Sequence, residues 1–251
     1  MAPPQADDSQ IRVILLDIEG TTTPVDFVYK TLFPYASRRL ESFLREHFGE
    51  AEIQSLHVDL RLQHRRDETD GLQPSAWSEE TDELQLHSSV AYAKWLMARD
   101  SKCTPLKMLQ GKIWQQAYAE GALHGEVYAD VPRAFARWKR QGREICIYSS
   151  GSVLAQQLLF RTTAAGDLTR YISFFFDTHI GAKTESDSYR RIAESIQRSP
   201  NQVLFVSDAI KEVEAARLAS MRALLCKREA DAADFASNKE TIQEFDQILP
   251  G

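Results

Sequence analysis

The sequence predicts an α/β protein: a doubly wound parallel sheet with a helical insertion after its first strand. Three observations carry this expectation. Five apolar runs of strand length, at 11–16, 144–148, 172–176, 203–206 and 222–226, are rich in β-branched or aromatic residues. Each is nearly continuous in apolar character, as parallel strands covered on both faces are. Helix-like stretches alternate with the last four runs, the pattern of a βαβ sheet. Finally, roughly a hundred residues without a strand-like run follow the first, far beyond an ordinary βα connection.

Taken in order, run 11–16 ends in a polar cluster beginning at Asp17. The following stretch, 26–126, carries three sets of apolar residues at helical spacing. They are Leu32, Ala36, Leu40, Phe43, Leu44 and Phe48; then Leu86, Val90, Ala93 and Met97; then Leu106, Leu109, Ile113 and Ala117. The polar stretch 63–81, with Gly71 and Pro74, reads as a loop. A lone strand cannot make a stable sheet. Residues 1–25 are therefore expected to join 127–251 in one core, with 26–126 inserted. A helix before run 144–148 has end signals in Asp130 as N-cap, Pro132 in its first turn and Gly142 as its stop. Further helices are expected at 153–160, 185–197 and 209–219.

Composition narrows the function classes. The 251 residues include 30 Lys and Arg against 36 Asp and Glu, a formal net charge of −6. With 43% hydrophobic residues and only 11 Gly and 9 Pro, a disordered or collagen-like chain is excluded. An acidic chain lacks the electrostatic footprint of a nucleic-acid binder. Cys103, Cys146 and Cys226 are far apart and odd in number, which fits a reducing compartment. The N-terminal segment has no apolar stretch of a secretory signal, and no run reaches the roughly 18 apolar residues of a membrane span. The expected setting is cytoplasmic, without membrane partners.

Ligands of open α/β sheets bind outside the carboxyl ends of the strands, and those ends are rich in reactive groups here. The first run leads into Asp17-Ile18-Glu19-Gly20-Thr21-Thr22-Thr23. Carboxylates two residues apart in a turn can face one site, and Gly20 lets the chain turn away. The second run ends in Ser149-Ser150-Gly151-Ser152, hydroxyls and N–H groups at a helix start that suit a phosphate. Lys183 follows the third run, and Asp208 the fourth.

Asp, Ser, Lys and Asp at successive strand ends resemble the four motifs of the haloacid dehalogenase superfamily. The segments DIEGTTTP, IYSSGSV, KTESDSY and SDAIKEVEAA are similar to its enolase-phosphatase (acireductone synthase) family of methionine salvage, over about 13–216. The Glu two residues after the Asp is the sharpest marker. The resemblance implies a Rossmann-like core with the insertion as a cap, and a monomer. It also implies one Mg2+ held by Asp17, Asp208 and the backbone carbonyl of Glu19. Asp17 would be the nucleophile that forms a phosphoaspartyl intermediate. Glu19 would be general acid and base. Ser149 and Ser150 would hold phosphoryl oxygens through hydroxyl and N–H groups, and Lys183 would neutralise their charge. The implied substrate is a small phosphorylated diketone, 2,3-diketo-5-methylthiopentyl-1-phosphate, enolised and then dephosphorylated to the acireductone. Enolisation needs a base, for which Glu19 is the candidate, and Mg2+ or Lys183 to stabilise the enolate.

Plainer readings exist for each residue. Asp17 alone would more often cap a turn, and Lys183 alone would be a solvated loop lysine; their order along the chain with Glu19, Thr21 and Asp208 favours catalysis. Ser150 and Ser152 also read as N-caps, and Thr184 with Asp187 as a capping pair. Glu212 either orients Lys183 or a metal-bound water, or faces solvent. The six histidines show no ligand spacing, and Cys146 reads as core. Arg228-Glu229 stands where relatives tend to have an Arg-Pro-Gly-like turn, and is expected to lie away from the motifs. The alternative function is a phosphatase of the same superfamily acting on a sugar or glycolate phosphate. A dehalogenase would have no use for acids at Glu19 and Asp208. A binding scaffold with a relic site would be expected to have lost one of the five positions.

Overall fold

The computed structural model describes residues 8–229 and 240–250. Most of the N-terminal segment used in the localisation argument therefore lies outside the described residues. The chain divides into two compact units, Met1–Phe27 with His124–Gly251, and Val28–Leu123.

The larger unit is a parallel sheet of six strands among the described residues: β1 (Val13–Leu16), β2 (Glu144–Tyr148), β3 (Ile172–Phe176), β4 (Val203–Ser207), β5 (Arg222–Cys226) and β6 (Thr241–Ile242). Their order is β3-β2-β1-β4-β5-β6. All four residues of β1 are fully buried between β2 and β4, which explains an unbroken apolar run. The sheet grows in opposite directions on either side of β1, which opens a crevice at its carboxyl end.

The smaller unit holds α1 (Phe33–His47), α2 (Ala51–Thr69), α3 (Asp82–Ala98) and α4 (Thr104–Ala119). α1 and α2 each pack against α3 and α4. Ala36, Leu40, Phe43 and Leu44 form the buried stripe of α1, and Leu106, Leu109, Ile113 and Ala117 belong to that of α4. Thr81 caps α3 by accepting from the Leu84 N–H at 3.3 Å.

In the larger unit, α5 (Val131–Arg140) and α6 (Val153–Arg161) pack against β2 and β3. α7 (Ser186–Ser195) and α8 (Ile210–Leu218) cover a cluster in which Tyr189, Ile192, Val213 and Ala216 meet Val13, Leu15 and Phe205. Alternation along β1 leaves Ile14 and Leu16 for the opposite face.

Several expectations are corrected. The loop expected at 63–81 begins only after Thr69, because α2 runs on to that residue. The buried face of α2 carries His57, His64 and Asp67 beside Ile53, Leu56 and Leu60, so its apolar periodicity fades. Those polar groups are satisfied: Tyr92 donates to Asp67 at 2.6 Å, and His64 meets the Ser75 carbonyl at 2.7 Å. β3 is an edge strand with Phe174 exposed, not covered on both faces. β6 is too short to show as a run. Asp130 precedes α5 but does not cap it, since its carboxylate is taken by Arg228 and the Phe245 N–H. α7 starts after Glu185 without a side-chain cap, so Thr184 and Asp187 are not a capping pair. Among the described residues no helix is long and apolar enough to cross a membrane.

Candidate active site

The chain leaves β1 at Asp17 and folds into a tight loop. The N–H groups of Thr21, Thr22 and Thr23 all point at the Ile18 carbonyl, at 3.2, 3.0 and 2.9 Å. Gly20 takes φ +66°, which L side chains rarely adopt, and a Cβ there would collide with the Asp208 carboxylate. Loop and strand end are tied together, since the Asp208 N–H donates to Thr21 Oγ1 at 3.0 Å. The Asp17 N–H donates to the Val206 carbonyl at 3.0 Å. Asp17 and Asp208, 191 positions apart, thus share one crevice.

A buried charge cluster fills its floor. Lys183 Nζ lies 2.5 Å from Asp17 Oδ1 and 2.7 Å from Glu212 Oε2. Burial would lower the Lys183 ammonium, but the charges of Asp17, Glu212 and Glu19 outweigh it and hold it well above the usual lysine range. Asp17 Oδ1 also accepts from the Ile18 N–H at 2.7 Å. Ser207 Oγ lies 2.9 Å from both Asp17 Oδ2 and Glu212 Oε2. One hydroxyl has one proton, so both bonds form together only when a carboxyl supplies the second. Burial and the Asp17 charge push Glu212 up to about 7, against the pull of Lys183. Asp208 is exposed as a residue, yet partial enclosure of its carboxyl and the Asp17 charge raise it to about 6. Of the readings open for Glu212, the structure shows the pairing with Lys183; its side chain is only 15% exposed.

Ser149 is buried at the end of β2, and its hydroxyl lies 3.5 Å from Glu19 Oε2, the outer limit of a hydrogen bond. Its N–H donates to the Phe176 carbonyl and is taken, so only the hydroxyl is left for a ligand, against expectation. Ser150 follows, half-buried. Ser152, not Ser150, caps α6, accepting from the Ala155 N–H at 3.3 Å. Asp17, Glu19, Ser149, Lys183 and Asp208 are therefore linked at the carboxyl end of the sheet, and Ser150 is adjacent to them in sequence.

The haloacid dehalogenase-like hydrolase family model matches residues 11–220. The chain belongs to this family. It is 46% identical to Enolase-phosphatase E1 of Synechococcus elongatus, covering 95% of this chain and 98% of that one. To Enolase-phosphatase E1 of Drosophila melanogaster it is 42% identical, over 93% and 91%. Among solved structures it is similar to the Unknown transcript 4 protein of Saccharomyces cerevisiae, with 32% identity and a TM-score of 0.74 over 95% and 100%. A HAD phosphatase from Thermococcus onnurineus, 15% identical with a TM-score of 0.57 over 96% and 99%, shares the fold.

Phosphatases among the haloacid dehalogenase-like hydrolases generally use Mg2+, so the donor set in the crevice is compared with what that ion needs. Among the described residues no group of three His, Cys, Asp or Glu side chains forms a metal cage. The donor set is instead two carboxylates, Asp17 and Asp208, brought to one crevice by the ends of β1 and β4. That set fits Mg2+, which binds one or two carboxylates and keeps several waters. The mutual charge that raises Asp208 is what a cation would relieve. This gives a pH prediction. Asp208 and Glu212 sit above their unfolded values of about 4, so the folded, metal-free protein binds more protons than the unfolded chain between about pH 4 and 7. Their contribution therefore makes stability fall as pH rises through that window. Mg2+ binds the deprotonated carboxylates, so the rise in melting temperature it causes should be larger near pH 7.5 than near pH 5. Thermal melts with Mg2+ and with EDTA check this; an equal rise at both values would contradict the assignment.

Residues not singled out from the sequence hold Lys183 in place. Tyr148 donates to the Gly181 carbonyl at 2.9 Å and lies under the ammonium, 5.8 Å from Nζ to the ring centre. Tyr189 donates to the Lys183 carbonyl at 2.7 Å. Both read as core aromatics in a one-dimensional pattern; the hydroxyl of a buried tyrosine, which needs a partner, was the available signal. Tyr189→Phe should leave the buried Lys183 carbonyl short of a donor and cost about 1–3 kcal/mol. A denaturant melt measures this, and an unchanged midpoint would show that the bond contributes nothing.

Proposed function

We propose that this chain is an enolase-phosphatase that converts 2,3-diketo-5-methylthiopentyl-1-phosphate to the acireductone 1,2-dihydroxy-3-keto-5-methylthiopentene and phosphate. The observation that carries the reading is the contact of Asp17 with Lys183 in the crevice that also holds Glu19 and Asp208. Relatives named Enolase-phosphatase E1 cover nearly the whole chain, which supports an enolase-phosphatase reading.

In this reading Asp17 attacks phosphorus, and the bond to the substrate oxygen breaks as that oxygen takes a proton from Glu19. Glu19 then takes a proton from water, whose oxygen attacks the phosphoaspartyl phosphorus and returns Asp17 to a carboxylate. The Ser149 hydroxyl steers a phosphoryl oxygen, with Ser150 beside it. Lys183, held protonated by its neighbours, offsets the charge that spreads over those oxygens. Mg2+, held by Asp17, Asp208 and the Glu19 carbonyl, would supply the positive charge that lets two anions approach. For the preceding enolisation, Glu19 is proposed as the base and Lys183 as stabiliser of the enolate. The insertion 26–126 is read as the cap that selects the substrate. One Mg2+ per chain and a monomer, carried by the family resemblance, and a cytoplasmic setting, carried by the cysteine content and the apolar patterning, complete the reading.

The test is a comparison of kcat/KM, by phosphate release with Mg2+, for the diketone phosphate against sugar phosphates and phosphoglycolate. A preference of at least about a hundredfold for the diketone is expected, close to 3 kcal/mol of transition-state discrimination. A sugar phosphate or phosphoglycolate turned over as well or better would point to a different phosphatase of the family.

A further inference from the structure

Arg228 follows the carboxyl end of β5, and its side chain is 7% exposed. The sequence placed it away from the motifs; the structure does not. Its Nε and one terminal nitrogen donate to the Thr21 carbonyl at 3.0 and 2.6 Å. The other terminal nitrogen donates to Asp130 Oδ2 at 2.7 Å and to the Gln243 carbonyl at 3.0 Å. The rings of Tyr128 and Phe245 flank the guanidinium at 4.3 and 4.6 Å. Such a planar fork, stacked and bonded along its edges, is a rigid strut.

Thr21 is the joint that this strut holds. Its carbonyl takes two donors from Arg228, and its hydroxyl takes the Asp208 N–H. The loop containing Thr21 closes on the Ile18 carbonyl, next to Asp17, and Gly20 faces the Asp208 carboxylate. The geometry points to Arg228 as a positioning residue: through Thr21 it sets the placement of Asp208 against Asp17, and so how tightly the pair grips a divalent cation. This rests on the reading of Asp17 and Asp208 as cation ligands.

A simple staple of the C-terminal segment would have a different signature. Arg137 pins that same segment, donating to the Phe245 and Ile248 carbonyls at 2.6 and 3.1 Å, without touching Thr21. The experiment is titration with Mn2+ alone, in the absence of substrate, reading the electron paramagnetic resonance signal of the free ion. Arg228→Lys keeps the charge but loses the fork, and should bind Mn2+ about tenfold more weakly, as removal of an outer-shell support does. Asp130→Asn, which frees one edge of the guanidinium, should weaken binding less, and decides the matter if Arg228→Lys does not fold. Arg137→Met should lose melting temperature yet keep the wild-type affinity. Equal weakening in the Arg228 and Arg137 variants, or none in the Arg228 and Asp130 variants, would overturn the inference. Asp208→Asn separates the two levels. If it abolishes binding while Arg228→Lys does not weaken it, only the role of Arg228 fails; if it binds like wild type, the ligand assignment fails and takes this inference with it.

Discussion

Replacing Asp17 with Asn should cut phosphate release by about ten-thousand-fold or more, as loss of a covalent nucleophile does, while the protein stays folded. Asn has the same shape and still offers an oxygen to the Ile18 N–H, which now meets Asp17 Oδ1 at 2.7 Å. Lys183 keeps a partner, because Glu212 lies 2.7 Å from its Nζ. The substitution also removes the charge that helps to raise both Asp208 and Glu212. Metal-free Asp17→Asn should therefore melt no lower than wild type near neutral pH. Phosphate release and a thermal melt together check the claim. A variant that stays active would mean that another group attacks phosphorus, and one that unfolds would mean that the carboxylate is needed for the fold.

Cutting the same cluster from its positive side should do the opposite to stability. Lys183→Met leaves Asp17 and Glu212 buried without their shared cation, and breaking a buried pair in this way costs about 3–5 kcal/mol. Catalysis should fall by about a hundred- to a thousandfold, the loss expected when one preorganised charge is removed from developing oxyanions. The stability defect should shrink at pH values near 5, where Glu212 and Asp208, raised to about 7 and 6, take up protons. It should shrink with Mg2+ as well. Denaturant midpoints at two pH values, with and without the ion, measure both effects. A Lys183→Met protein as stable as wild type at neutral pH would show that the lysine does not hold the cluster together.

The contrast between these two variants also shows what a linear sequence can reveal. Strands such as β1 and β4 were legible because a buried parallel strand is apolar at every position, and their ends were legible because that is where α/β folds place polar chemistry. Asp17, Lys183 and Asp208 fell at such ends and came together in the crevice. What escaped was set by partners distant in sequence. α2 hides a buried polar face in which Asp67 answers Tyr92 from 25 positions away. Asp130 looked like a cap and is instead the counter-ion of Arg228, 98 positions further on. Arg228 itself lies beyond the last apolar run, and only the sheet order brings it to the loop after β1. That the Ser149 N–H is taken by the Phe176 carbonyl is a matter of strand register, which a linear sequence does not show. A charged residue just past a parallel strand, at the same carboxyl end of the sheet as the motifs, is the general signal that would have flagged Arg228.

One crevice is proposed both to enolise a diketone and to remove its phosphate. A single reaction with the diketone phosphate and Mg2+, followed at once for released phosphate and for the ultraviolet absorbance of the enediol, tests it most directly. Both signals should appear, in equal amounts, and neither when EDTA removes the ion. Phosphate released without the absorbing product, or no turnover of the diketone at all, would contradict it.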